Sequence, residues 1–398
     1  MNESNLNNDS VRPVAVRFVV LLGFVSLFAD MTYEAARGIS GPYLGILGAS
    51  GLVVGLTAGA GELLGYGLRY VFGLLSDRTR RYWTITIIGY AVNLLAVPLL
   101  GLAHHWELAA ALMIAERIGK AIRTPARDVM LSYATATVGR GWGFALHEAM
   151  DQIGAMVGPV IVMAVLALRG SYPFAFGVLA IPAVLALTVL VAARVIYPQP
   201  QTLEAASEAR PDGRLPAVFW LYLAAVGCVA AGFADYPLIA FHIKSHHLIE
   251  DPWIPLLYAC AMGIDALAAL VFGRWYDRKG MRVLAAAVAI SSVFAVFAFS
   301  MHWVMIVAGV VLWGVGMGAQ ESVIRAAVAD LVPKTRRGTG FGIFNAGYGF
   351  AWFAGSVLMG VLYDYSLPAV IAFSVVSQLA SLPMLLGVGR RAGRIQEI

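Results

Sequence analysis

The sequence predicts an all-α integral membrane protein of twelve transmembrane helices, arranged as two six-helix bundles. Three observations carry that expectation. The 398 residues are 60% hydrophobic and only 13% charged, where a soluble domain carries about 25% charge. Apolar runs of about 20 residues, enough to cross about 30 Å of hydrocarbon as helix, recur from end to end. The two halves of the chain also echo one another: Gly73, Asp77 and Arg78 are matched 200 residues on by Gly273, Asp277 and Arg278. The short alternating strands of an outer-membrane barrel are absent.

In order, residues 1–13 form a polar leader expected to be disordered and cytoplasmic. No short apolar core with a small-residue cleavage site follows it, so the first hydrophobic run is retained. Spans are expected at 14–38, 43–71, 83–103, 107–134, 142–168, 172–196, 216–243, 253–275, 283–301, 303–331, 339–363 and 367–388. The first is seeded by FVVLLGFVSLF (Phe18 to Phe28) and then takes in Asp30, Glu34 and Arg37. The second carries Glu62 and runs into the first repeated loop. The fourth holds Glu116, Arg117, Lys120, Arg123, Arg127 and Asp128, and the fifth His147, Glu148 and Asp151. Segment 197–215 is a polar, proline-bearing cytoplasmic linker that separates an N-terminal bundle, 14–196, from a C-terminal bundle, 216–388. In the second half the mid-span polar groups are fewer: Asp235, Asp265, Glu321, Arg325 and Asn345. Residues 389–398 form a cytoplasmic tail. Cys228 and Cys260 both fall in hydrophobic segments, and no structural disulfide is expected.

The net charge of +5 raises nucleic acid as a partner, but the basic residues sit in short loops between apolar runs. Arg78, Arg80, Arg81, Arg140, Arg278, Lys279, Arg282, Lys334, Arg336, Arg337, Arg390 and Arg391 gather on one side. The other side has little beyond Arg169 and Lys244. The positive-inside rule then puts both termini in the cytoplasm of a multi-pass inner-membrane protein. The bilayer is the expected partner and nucleic acid is not.

These loops resemble those of the major facilitator superfamily, and the resemblance covers essentially the whole chain. The family signature between spans two and three is roughly G-x-x-x-D-R-x-G-R-R/K. Gly73, Asp77, Arg78 and Arg81 match it, with Arg80 in the place of the second glycine. The second copy keeps Gly273, Asp277, Arg278, Gly280 and Arg282. The resemblance implies a cytoplasmic lock that forms in one conformation and breaks in the other, and Arg127 with Asp128 is assigned to the same network. Ala115 to Ala134 (AERIGKAIRTPARDVMLSYA) is similar to a bacterial subgroup with an RIGKGIRT-like fourth span, with Ala121 in place of a glycine. Phe144 to Pro159 (FALHEAMDQIGAMVGP) is similar to that subgroup's fifth span. Gly154, Gly158 and Pro159 match part of an antiporter motif and are expected at a helix-packing surface, while Val162 and Met163 replace its final glycines.

A charge at mid-membrane costs about 2.5–3.5 kcal/mol on insertion scales, so the many here need partners or a wet cavity. Asp30, Glu34 and Arg37 are spaced four and three apart, which puts them on one helix face. Glu116, Lys120, Arg123 and Arg127 form a stripe on span four, and His147 and Asp151 are one turn apart. Together with Glu62, Arg117, Glu148, Asp235, Glu321, Arg325 and Asn345 they are candidates for a central cavity and proton coupling. Local ion pairs, Glu34 with Arg37 and Glu321 with Arg325, are the alternative reading. Arg117 best matches the span-four arginine that the family associates with proton coupling. His242, His246 and His247, followed by Glu250 and Asp251, raise a metal site against the plainer reading of solvated polar groups.

No nucleophile elbow, phosphate loop or zinc-protease pattern appears, so neither an enzyme nor a cofactor is expected, and no metal. The resemblance implies a secondary active transporter of a small molecule, working by alternating access with protons as the coupling ion, in the export direction and as a monomer. An importer of an organic anion and a transport-inactive sensor or scaffold are the alternatives.

Overall fold

The computed structural model of the chain describes residues 3–138, 140–200, 215–332 and 337–396. The side chains of Asp277 and Arg325, both expected site residues, and most of the linker (201–214) lie outside the described residues.

Sixteen α-helices follow one another among the described residues. In the first half they are α1 (Glu3–Ile46), α2 (Gly51–Thr79), α3 (Tyr82–Leu99), α4 (Trp106–Val138), α5 (Arg140–Arg169), α6 (Tyr172–Val178) and α7 (Ala180–Ile196). In the second they are α8 (Ala217–Gly232), α9 (Tyr236–Ser245), α10 (Trp253–Lys279), α11 (Met281–Ser291), α12 (Phe294–Ala298), α13 (Trp303–Ala319), α14 (Arg325–Leu331), α15 (Arg337–Tyr365) and α16 (Leu367–Gln396). They make up the twelve expected spans because four spans are interrupted. Eleven described stretches are long and apolar enough to cross a membrane. The fourth expected span, α4, is not among them, since its acids, arginines and lysine dilute the apolar run. At the N-terminus, residues 3–13 continue α1 rather than forming a disordered leader. Adding residues to an existing helix is far easier than nucleating one. The crossing stretch itself begins at Pro13.

Two of the interruptions matter for the site. α8 ends at Gly232, Phe233 and Asp235 are extended, and Pro237 in the first turn of α9 removes a backbone donor. Asp235 therefore stands at the N-cap of α9, yet its side chain makes no cap hydrogen bond and is left for tertiary partners. Between α13 and α14, Gln320–Ile324 forms one π-helical turn, a local rewinding often found at functional sites.

The chain divides into two compact units that do not follow the sequence halves. One holds Met1–Ala36 and Gly67–Glu208; the other holds Arg37–Tyr66 and Ala209–Ile398. The joined ends of α1 and α2 thus pack with the C-terminal helices, and residues 37–66 of the expected 14–196 bundle belong to the second unit. Small residues explain the packing. A Cβ at Gly41 would collide with the Pro237 carbonyl, and one at Gly55 with the Ser356 carbonyl. The start of α2 is capped from α15: Asp364 accepts from the Gly51 and Leu52 N–H groups at 2.7 and 2.8 Å.

Within the first unit, α5 lies on α1 through Gly154 and Gly158, where an added Cβ would strike the Leu27 and Met31 carbonyls. Gly119 of α4 lies just as close to the backbone of Asn93 on α3. Gly355 plays the equivalent part in the second unit, against Ala231 of α8. These contacts hold the charged faces of α1, α4 and α5 together, and those of α2, α9 and α15.

Candidate functional site

Two polar clusters are built at depth, one in each unit. In the first, α1 presents Asp30, Tyr33 and Glu34 on one face to α4 and α5. Asp30 is 6% exposed, and its Oδ1 has no hydrogen-bond partner among the described residues. The charges acting on it are Asp151 of α5, Lys120 and Arg123 of α4, and Glu34. Lys120 Nζ lies 3.6 Å from Glu34 Oε1 and 4.1 Å above the Tyr33 ring. Arg123 is 1% exposed and makes no ion pair among the described residues. Its guanidinium stacks over Tyr90 at 4.3 Å and Tyr33 at 5.6 Å, and Nη1 donates to the Tyr90 hydroxyl at 3.0 Å. Aromatic faces thus take the place of a carboxylate around this buried cation.

Asp151 Oδ2 faces His147 Nδ1 at 3.4 Å, one turn away on α5. Arg127 donates to its neighbour Asp128 at 2.8 and 2.9 Å and to Ser26 Oγ of α1 at 3.2 Å. Further along α4, Glu116 accepts from Asn93 Nδ2 at 2.7 Å and lies 3.3 Å from Arg117 Nε. Carboxylates and cations are thus interleaved along one surface, and among the described residues Asp30 and Asp151 each keep one buried oxygen without a hydrogen-bond partner.

The second cluster forms around Asp235. Trp352 Nε1 donates to Oδ1 at 2.9 Å and Ser356 Oγ to Oδ2 at 2.6 Å, both from α15. Arg37, from the last turns of α1, lies 3.7 Å from Asp235 and 3.0 Å from Glu62 of α2. A buried carboxylate left without a cap hydrogen bond at a helix break is therefore joined through one arginine to the ends of α1 and α2. One turn deeper, Tyr348 donates to Gln320 of the π turn at 3.0 Å, and its ring meets Tyr66 edge-on.

The remaining expected residues lie elsewhere. Glu148 is exposed and Asn345 half-buried, neither with a described side-chain partner. Glu321 is half-buried in the π turn. Asp77, Arg78, Arg81, Arg278 and Arg282 are exposed and form no ion pair among the described residues. A Cβ at Gly73 or Gly273 would sit 3.8 Å from its nearest neighbour, so neither glycine is needed for close approach. Arg127 turns to Ser26 and Asp128 rather than to the repeated loop. At the far end of α9, His242 is held between the Tyr363 hydroxyl at 3.0 Å and the Ser300 carbonyl at 3.3 Å. Lys244 pairs with Asp251 at 2.6 Å. Cys228 and Cys260 are free thiols. Sequence reasoning passed over Tyr33, Tyr90, Asn93 and Ser356, which are neutral. For Tyr33 the signal was present, since it follows Asp30 by three residues on the same face.

The profile of the Major Facilitator Superfamily matches residues 21–264 and 236–395. An uncharacterized protein of Mycobacterium tuberculosis (strain ATCC 25618 / H37Rv) is 44% identical over 382 residues, covering 94% of this chain and 93% of its own. An uncharacterized MFS-type transporter of Methanocaldococcus jannaschii is 25% identical over 376 residues, covering 92% and 93%. Among solved structures, a peptide transporter, POT, in complex with sulfate superposes with a TM-score of 0.72 at 14% identity, over 95% of each chain. That likeness is one of fold.

Proposed function

The chain belongs to the major facilitator superfamily, and from that premise we propose that it is a proton-coupled secondary transporter exporting a small molecule across the cytoplasmic membrane, with both termini inside. The observation that carries the coupling is Asp30: a buried carboxylate with an open oxygen, set among Lys120, Arg123, Glu34 and Asp151. Moving a cation toward or away from a carboxylate changes its affinity for a proton. A conformational change that shifts Lys120 or Arg123 against α1 then loads or unloads Asp30. The membrane potential adds about 2.3 kcal/mol per charge per 100 mV, enough to drive a modest gradient.

The Asp235–Arg37–Glu62 cluster is the second working part. It lies toward the non-cytoplasmic end of α1 and α2 in this orientation, and acts as a latch that must part when that side opens. Uptake of an organic anion is the second reading, favoured by Arg117, Lys120 and Arg123 on one stripe of α4. A ligand-stabilisation screen of purified protein, with cationic and anionic compound sets across pH, separates the two. The ligand found is then followed in proteoliposomes under an imposed pH gradient. Wild type concentrates it, whereas Asp30→Asn exchanges it without concentrating it; undiminished gradient-driven transport by the variant removes Asp30 from the scheme.

A further inference from the structure

At the junction of α2 and α3, the two halves of the repeat part company. α2 ends at Thr79 and α10 at Lys279, each closed by a residue with positive φ. Arg80 N–H bonds to the Ser76 carbonyl at 2.8 Å, and Gly280 N–H bonds to the Tyr276 carbonyl at 2.8 Å. The φ angles are +52° for Arg80 and +57° for Gly280. Glycine is the ordinary occupant of such a helix end, because a side chain there crowds the following carbonyl. The second half has the glycine. The first half holds an arginine at a similar positive φ, where a side chain is disfavoured, so the fold at this corner does not call for that side chain.

What surrounds Arg80 supplies a reason. It opens on a cavity of about 270 Å³ whose lining includes Arg81, Arg194, Tyr82, Trp83 and Pro200. Three guanidiniums border the space, and no aspartate or glutamate lines it among the described residues. None of the three makes an ion pair among the described residues, and all are exposed. Asp77, one turn back on α2, makes none with them. The walls are firm. Trp83 Nε1 donates to the Tyr197 carbonyl at 3.0 Å, tying the start of α3 to the end of α7. Phe18 packs edge-on against both rings, at 6.1 Å from Trp83 and 5.1 Å from Tyr197. Like charges gathered on a rigid rim repel one another unless an anion sits between them.

We propose that Arg80, Arg81 and Arg194 form a phosphate-binding site, filled by the headgroup phosphate of an anionic phospholipid or by free phosphate. Guanidinium forks match phosphate oxygens two at a time, which a lysine ammonium does not. The cavity is at the end of the spans that the positive-inside rule assigns to the cytoplasmic leaflet, where anionic headgroups meet basic pockets between helices. Tyr82 and Trp83 are aromatic residues of the kind that settle at that level of a bilayer. The site depends on that orientation and not on the transport reaction.

The test uses the full-length protein purified in neutral detergent, with phosphatidylglycerol, phosphatidylcholine or inorganic phosphate as the added probe. Thermal unfolding and native mass spectrometry are the readouts, on wild type, Arg80→Gly and Arg194→Gln. Phosphatidylglycerol, and not phosphatidylcholine, raises the wild-type midpoint and is retained in the mass spectrum. Each variant weakens that binding about fivefold, the worth of one basic residue near an anionic surface. Without lipid, Arg80→Gly is at least as stable as wild type because its backbone strain is relieved, so weaker binding by that variant is not misfolding. If inorganic phosphate alone gives the shift and the variants lose it, the site stands with free phosphate as its ligand. The proposal is overturned if neither phosphatidylglycerol nor phosphate stabilises wild type, or if both variants respond as wild type does.

Discussion

Asp235→Asn isolates the charge that joins α1, α2 and α15. The substituted amide preserves shape: its oxygen still accepts from Trp352, and its NH2 donates to the Ser356 hydroxyl, which turns to accept. What is lost is attraction to Arg37 at 3.7 Å. At an effective dielectric near 20 that attraction is about 4–5 kcal/mol. Relief from desolvating the carboxylate and from the repulsion of Glu62, which shares Arg37 at 3.0 Å, offsets roughly half of it. The net loss is then about 2 kcal/mol, or roughly 30-fold in the equilibrium between closed and parted arrangements. Hydrogen–deuterium exchange reads this segment by segment. Peptides covering 37–66 exchange roughly 30-fold faster in the variant, while those covering 82–102 keep the wild-type rate. Unchanged exchange over 37–66 refutes the latch. A uniform rise in both units also refutes it, since that is loss of global stability.

Three other perturbations probe the first unit. Tyr90→Phe leaves Arg123 Nη1 without its acceptor, costing about 1–3 kcal/mol, and lowers the thermal midpoint; an unchanged midpoint means that the hydroxyl is not needed to hold the guanidinium. Gly158→Ala drives a methyl into the Met31 carbonyl and costs about 1–3 kcal/mol, read as a lower midpoint and reduced folded yield. Gly73→Ala, with 3.8 Å of room, stays within about 0.5 kcal/mol of wild type, and equal effects from the two glycines would contradict the packing described.

Topology was legible because lipid demands long apolar helices and leaves charge only where something compensates it. The same logic found Asp30, Glu34, Lys120, Arg123 and Asp151 as a group, since their spacings of three and four residues share helix faces. The stripe on α4 was visible enough to cost that helix its apolar signature. Packing across the sequence was not legible. That Arg37–Tyr66 joins the C-terminal helices rests on close approach at Gly41 and Gly55 and on the Asp364 cap, none of which has a periodic signal. Tyr33, Tyr90 and Ser356 read as ordinary core or helix residues until a buried charge is found beside them. The repeated loops show the opposite limit. Their residues stand out in the sequence, yet the described side chains are solvated and form no ion pair among the described residues.

The most direct test of the central claim counts protons. Ligand is added to purified protein in weakly buffered detergent solution, and the pH change is titrated back for wild type and Asp30→Asn at matched occupancy. Wild type exchanges protons with solvent on binding and the variant does not. Identical proton counts in the two proteins would place the coupling group somewhere other than Asp30.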